Sequence, residues 1–146
     1  MSQVELPAPS PPVGSYTMAV WTGDLLHLSG HGAFEDGVPQ HLGRLGESLS
    51  TAQGAAAAEA VMLHLLATVR DQVGDLHKVV RVVKVVVFVS STPDFTEQHL
   101  VANGATDTLV RLFGEDVGRP ARSAIGVAAL PLGFAVEIEA VVQVAA

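Results

Sequence analysis

Two charged residues near the carboxyl end have the types and setting to do chemistry: Arg122, at the head of the apolar run Ala121-Arg122-Ser123-Ala124-Ile125, and Glu137, in Val136-Glu137-Ile138-Glu139. A guanidinium stays charged, is costly to bury unpartnered, and presents a planar fork that matches both oxygens of a carboxylate. Arg122 therefore reads as a seat for a small carboxylate. From the residues alone it reads equally well as half of a structural ion pair with Glu137, Glu139 or an acid of a neighbouring copy. Glu137 and Glu139 stand two apart and so share one strand face. One of them suits acid/base work, and either also suits a solvated surface. Tyr16 is the only tyrosine, and Ser29 precedes the break Gly30-His31-Gly32, where backbone N–H groups become available. The plain alternatives there are a buried ring with its hydroxyl satisfied and a turn-capping hydroxyl. His31 adds a group that titrates near neutrality.

The elements that must position these residues follow from pattern. Four prolines between Pro7 and Pro12 impose an extended lead-in over residues 1–12. Short β patterns run from Tyr16 to Trp21 and from Leu25 to Ser29, joined at Gly23-Asp24, and Gly30-His31-Gly32 is expected to end the second. Residues 35–46 read as a loop. Ser50 is a candidate cap for a helix from Thr51 to about Val73, ended by Gly74. The valines of Val79–Val89 favour strand, and a run apolar on both faces belongs in the middle of a covered sheet. Pro93-Asp94-Phe95-Thr96 is expected to open a second helix that stops at Gly114. Two final strands flank Leu130-Pro131-Leu132-Gly133, read as a hairpin turn. That hairpin would place Glu137 roughly 10 Å from Arg122, at about 3.3 Å per residue. The order ββαβαββ predicts an α+β fold, with one mixed sheet covered on one face by two helices.

With 146 residues the chain is the size of one domain, residues 1–146. It has no cysteine, which excludes disulfides, thiolate metal sites and cysteine nucleophiles. A net charge of -7 argues against nonspecific nucleic-acid binding. His27 and His31 are separated by a strand and a turn rather than lying on one helix face, so no metal site is expected. The amino-terminal residues lack the charge and apolar pattern of a secretory signal, and no long uncharged apolar stretch suggests a membrane span, so a cytoplasmic protein is the expectation. Hydrophobic residues make up 49% of the chain, which leaves apolar surface for other copies to cover.

The Ala-Arg-Ser segment at Arg122, the Leu-Pro turn at Pro131 and the strand Val136–Glu139 together resemble the carboxyl-terminal signature of the RidA family, also called YjgF or endoribonuclease L-PSP. Pro12-Val13-Gly14-Ser15-Tyr16, Leu28-Ser29-Gly30-His31, and Lys84–Val89 followed by Asp94-Phe95 are similar to further segments of that family. The resemblance implies a chorismate-mutase-like fold, a homotrimer and ligand clefts between subunits. It implies that Arg122 holds a substrate carboxylate, that Glu137 orients or activates water, and that Tyr16, Ser29, Gly30 and His31 line the cleft, with Tyr16 reaching across the subunit interface. Asn103 is a candidate for the family's cleft asparagine. Two positions depart from the pattern: Ala124 replaces a frequent cysteine, and His31 a frequent glutamine.

The activity so implied is hydrolysis of small 2-imino or 2-enamino acids to 2-keto acids and ammonia, with no cofactor. The alternatives are a non-catalytic trimer that binds a small carboxylate as sensor or buffer, and, more weakly, a ribonuclease or translation inhibitor.

Overall fold

A computed structural model describes residues 4–146. The chain forms β1 (Ala19–Thr22), β2 (Leu25–His31), a small hairpin of β3 (Phe34–Glu35) and β4 (Val38–Pro39), α1 (Thr51–Val73), β5 (Val79–Ser90), α2 (Gln98–Gly118), β6 (Ala121–Val127) and β7 (Val136–Val144). Five strands make one mixed sheet in the order β1-β2-β7-β5-β6, and both helices pack on one of its faces. The α+β architecture matches the pattern-based expectation, with the β3–β4 hairpin added inside the segment read as loop.

Each helix forms for local reasons. Ser50 caps α1 in a reciprocal box: its hydroxyl accepts the Gln53 N–H, and the Gln53 side-chain oxygen accepts the Ser50 N–H at 2.8 Å. α1 is long and apolar enough by composition to cross a membrane, but its apolarity serves the core, where Val61, Met62, Leu65, Leu66 and Val69 are fully buried. The second helix starts later than expected. The Phe95 N–H donates to the Thr92 carbonyl at 3.1 Å and the Thr92 hydroxyl to Asp94 at 2.8 Å, so residues 92–95 turn before helix begins at Gln98. Gly114 interrupts it where the stop was expected. That residue takes φ 82° and kinks a helical run that continues to Gly118.

The main correction concerns the last two strands. β6 and β7 are not a hairpin: β5 lies between them, parallel to β6 and antiparallel to β7. Register then decides direction. Val85 pairs with both Arg122 and Ala140, and Val85 and Ala140 are buried under the helices. Phe88 pairs with Ile125 and Glu137, on the opposite face. Arg122 therefore leans toward the helices at the sheet edge while Glu137 stands on the open face. Two strand spacings and three residues separate their backbones by about 14 Å. They do not converge within one protomer.

The second strand also differs from expectation. β2 runs through Gly30 to His31 instead of breaking, because a bulge lies between Leu28 and His31. Leu28 opposes Ala140 and His31 opposes Ile138, so both point to the core, and the intervening Ser29 and Gly30 are left on the open side.

The open face carries exposed Val20 and Ile125 with half-buried Val86, Phe88 and Val141. On the other side the helices cross closely. A Cβ at Gly104 would overlap the Ala55 backbone carbonyl, which cannot swing away as a side chain could. Gly104→Ala is therefore expected to lower stability by about 1–3 kcal/mol, read as the urea midpoint. An unchanged midpoint would show that the helices can separate freely.

Candidate functional site

The candidate residues gather into two separate half-sites. At the β6 edge, Arg122 Nη1 donates to Asn103 Oδ1 at 2.8 Å and to Thr106 Oγ1 at 3.2 Å, both on α2. Among the described residues no ion pair to Arg122 occurs, so pairing with Glu137 or Glu139 in the same chain is overturned. The guanidinium is held by neutral acceptors that steer it without cancelling its charge. It borders a cavity of about 530 Å³ that also meets Asn103, Thr106, Asp107 and Arg119. Arg119 is paired with Glu115 at 3.0 Å. Asn103 thus stands beside the arginine, whereas Thr106 gave no signal in the sequence beyond its place one turn along the same helix.

The second half-site lies on the open face around Glu137. Tyr16, Gly30, Phe34, Leu132, Phe134 and Glu137 surround a small cavity of about 80 Å³. A Cβ at Gly30 would overlap the Glu137 carboxylate, so this glycine admits the acid against the backbone of the bulge. The Glu137 carboxyl titrates above the ordinary carboxylate range, first because burial disfavours its charge and second because Glu139 on the same face repels it. Tyr16 is 46% exposed, and its hydroxyl accepts the Val13 N–H at 3.3 Å, which leaves the ring edge open to solvent. The Ser29 hydroxyl donates to the Thr17 carbonyl at 2.6 Å, and the Ser29 N–H donates to Met18. Ser29 thereby ties the bulge to the strand entry.

His31 takes a different role from the cleft contact expected of it. Although it borders the cavity, it is 1% exposed and its ring turns inward. Nδ1 lies 2.6 Å from the Ser29 carbonyl and Nε2 lies 2.8 Å from the Thr68 hydroxyl on α1. A carbonyl only accepts, so Nδ1 carries the proton and Nε2 accepts from Thr68. Burial holds the His31 pKa below its usual value, opposed by the Ser29 hydrogen bond and reinforced by nearby His64. His64 also tethers to backbone, with Nδ1 3.0 Å from the Ala60 carbonyl and Nε2 2.9 Å from the Phe34 carbonyl and 3.2 Å from the Phe34 nitrogen. Both histidines fasten the β2–β3 segment to α1. Sequence reading missed His64 and Thr68 because a buried tether on a helix looks like any polar residue on an apolar face.

Aromatic walls were missed as well. Phe34 and Phe134 meet edge to face with centroids 5.3 Å apart, and Gly32 leaves room for the Phe134 ring. In the Leu-Pro turn, Leu132 has φ 60° and Gly133 φ 79°, a left-handed pair that sets Leu132 beside the cavity. No group of three or more metal-ligating side chains comes together among the described residues.

Comparison with known proteins places the chain among relatives. Residues 7–144 match the family described as Endoribonuclease L-PSP. Protein TCP17 of Trypanosoma cruzi is 47% identical over 140 residues, which is 96% of this chain and 88% of that protein. A protein of unknown function from Agrobacterium tumefaciens superposes with TM-score 0.87 at 40% identity, over 90% of this chain and 83% of that chain. The structure of RidA from an Antarctic Psychrobacter species superposes with TM-score 0.60 at 28% identity, over 94% of both chains.

Two stability measurements test the geometry. Thr68→Val keeps the shape of the side chain and strands the buried Nε2 of His31, with an expected cost of about 1–3 kcal/mol. A urea midpoint equal to wild type would mean that this hydrogen bond is not made. For Glu137 the folded pKa lies above the unfolded one, so the folded chain binds that proton more tightly. The stability it contributes is complete below about pH 4.3 and is lost as pH rises through the folded value. Glu137→Gln is accordingly expected to be more stable than wild type at about pH 7.5, with the gap closing toward about pH 4. Parallel stability profiles for the two chains would contradict the assignment.

Proposed function

The chain belongs to the endoribonuclease L-PSP family, the RidA or YjgF proteins, and from its two half-sites we propose that it hydrolyses small 2-imino or 2-enamino acids in the cytoplasm, at a cleft completed between copies in a homotrimer. The observation that carries this reading is a charged, unpaired Arg122 on one edge of the protomer and a proton-hungry Glu137 on the opposite face. Each half lacks what the other has. A second copy that lays its β6–α2 edge against the open face of the first would bring carboxylate seat and base together, and would cover the exposed valine and isoleucine there.

In such a cleft Arg122 grips the substrate carboxylate with two parallel hydrogen bonds, aimed by Asn103 and Thr106. Glu137 takes a proton from water as the oxygen attacks the C=N carbon. Glu137 passes that proton to the nitrogen to give a tetrahedral carbinolamine, and the hydroxyl proton then moves to the nitrogen by the same carboxylate as ammonia leaves, so that the carbon keeps the oxygen as a 2-keto acid. Burial and Glu139 raise the Glu137 pKa, and a carboxylate of higher pKa is the stronger base. Tyr16, Ser29 and the backbone at Gly30 orient the reactants. His31 stands behind them and holds the bulge in place. No step requires a cofactor or metal.

The family also carries the endoribonuclease description. Here the net charge of -7 and the small, partly apolar cavity at Glu137 favour a small metabolite over a polyanion. A carboxylate-binding trimer without catalysis would use the same arginine and would not need Glu137.

Hydrolysis of 2-iminopropionate separates these readings. Arg122→Ala and Glu137→Ala are each expected to lose at least about a hundredfold in kcat/KM. If the two inactive variants are mixed, unfolded and reassembled in equal amounts, about one quarter of wild-type activity should return, because each interface draws its two halves independently. No recovery would place both residues in one protomer's site. A wild-type rate equal to buffer would remove the enzyme reading and leave carboxylate binding.

A further inference from the structure

The proline-rich segment before the first strand is not a loose lead-in. Val4 and Leu6 pack against the core at one end, and the Val13 N–H is fastened to the Tyr16 hydroxyl at the other. Between these anchors Pro7, Pro9, Pro11 and Pro12 have no N–H to offer a neighbouring strand and hold φ near its extended value. The segment therefore stands off as a stiff arch. It encloses, together with the β3–β4 hairpin, a cavity of about 460 Å³ lined by Pro7, Ala8, Pro9, Phe34, Glu35 and Asp36 among others. That volume falls within the range of about 300 to 1,000 Å³ common for small-molecule pockets.

This cavity adjoins the Glu137 half-site directly. Ser10, Pro11, Val13 and Phe34 form walls of both. The shared wall is rigid: the Phe34 backbone is bonded to His64, and its ring is braced edge-on by Phe134. The space beside Glu137 is only about 80 Å³, so a substrate side chain larger than a few atoms must leave it, and the apolar route leads past Phe34 under the arch.

We propose that the arch cavity is the side-chain pocket of the Glu137 site and selects 2-imino and 2-keto acids that carry a bulky apolar, preferably aromatic, side chain. This rests on the deaminase-type cleft proposed above. The prolines, Val13 and Phe34 supply the apolar contact. Glu35 and Asp36, both acidic and both in the cavity wall, repel a second carboxylate and so select against dicarboxylic substrates.

Binding of unreactive 2-keto acids to the full-length assembled protein, followed by calorimetry, tests the pocket separately from catalysis. Phenylpyruvate is expected to bind at least about tenfold tighter than pyruvate, the discrimination that a hydrophobic pocket gives for even a single added methylene, and oxaloacetate no tighter than pyruvate. Ala8→Trp, which fills the cavity from the arch, should bring the phenylpyruvate-to-pyruvate ratio down toward one. Phe34→Ala should lower the same ratio from the opposite wall, so the result does not hang on one variant's folding. Equal affinity for phenylpyruvate and pyruvate in wild type, or a ratio unmoved in both variants while circular dichroism shows native folding, would overturn the proposal. Equal kcat/KM for 2-iminopropionate and the imine of phenylpyruvate would likewise remove this pocket but leave the deaminase reading standing. A keto-acid preference abolished by Ala8→Trp, in a protein that hydrolyses no imine, would uphold the pocket and remove the deaminase reading instead.

Discussion

The β5–α2–β6 crossover is the constraint on which the remainder of the site depends. Parallel strands cannot be joined by a tight turn, so α2 must cross the sheet face before β6 can pair with β5. That places β6 at an edge, on the far side of β5 from β7. It also lays α2 over Arg122, so that Asn103 and Thr106 meet the guanidinium from above. The charge is thereby held without being neutralised, at the rim of the molecule where another copy can reach it. The same pairing turns Glu137 to the other face, since its register partner Phe88 is an odd number of residues from Val85.

A second device sharpens the acid's position. In a regular strand Ser29, His31 and Ala33 would share one side and Gly30 the other. The bulge in β2 instead sends Leu28 and His31 both inward and leaves two consecutive residues under Glu137. Such a distortion persists only if something holds it. The Ser29 carbonyl is gripped by the His31 ring, the ring by Thr68 of α1, and the Ser29 hydroxyl and N–H by Thr17 and Met18. With His64 holding Phe34 as well, the floor and the aromatic wall of the half-site are both referenced to α1, whose inner face lies in the core. Half-site and core are mechanically continuous: Ser29 and Phe34 sit one hydrogen bond from the buried His31 and His64.

The electrostatics follow the same division. One half-site offers an uncompensated cation, and the other an acid whose ionisation is opposed by burial and by Glu139. The Glu137 charge is unfavourable where it stands, and a cation brought beside it would relieve that cost.

Much of this was legible in the residues. Ser50 and Gly74 delimit α1 and the valines mark β5 as a central strand, because caps and χ1 preferences are local properties, while the family resemblance of the Ala-Arg-Ser and Val-Glu-Ile-Glu segments singles out Arg122 and Glu137. The distance and facing of those two residues were not legible. A Leu-Pro-Leu-Gly turn between two strands looks like a hairpin, and only the placement of β5 between them shows that it is not. The inward turn of His31 was equally hidden, because a bulge shifts facing by one residue without any change in composition. Residue chemistry, set by side-chain structure, belongs to the sequence. Which groups face which neighbour, and whether a site is whole in one chain, depends on strand order and register, and those are settled only by long-range packing.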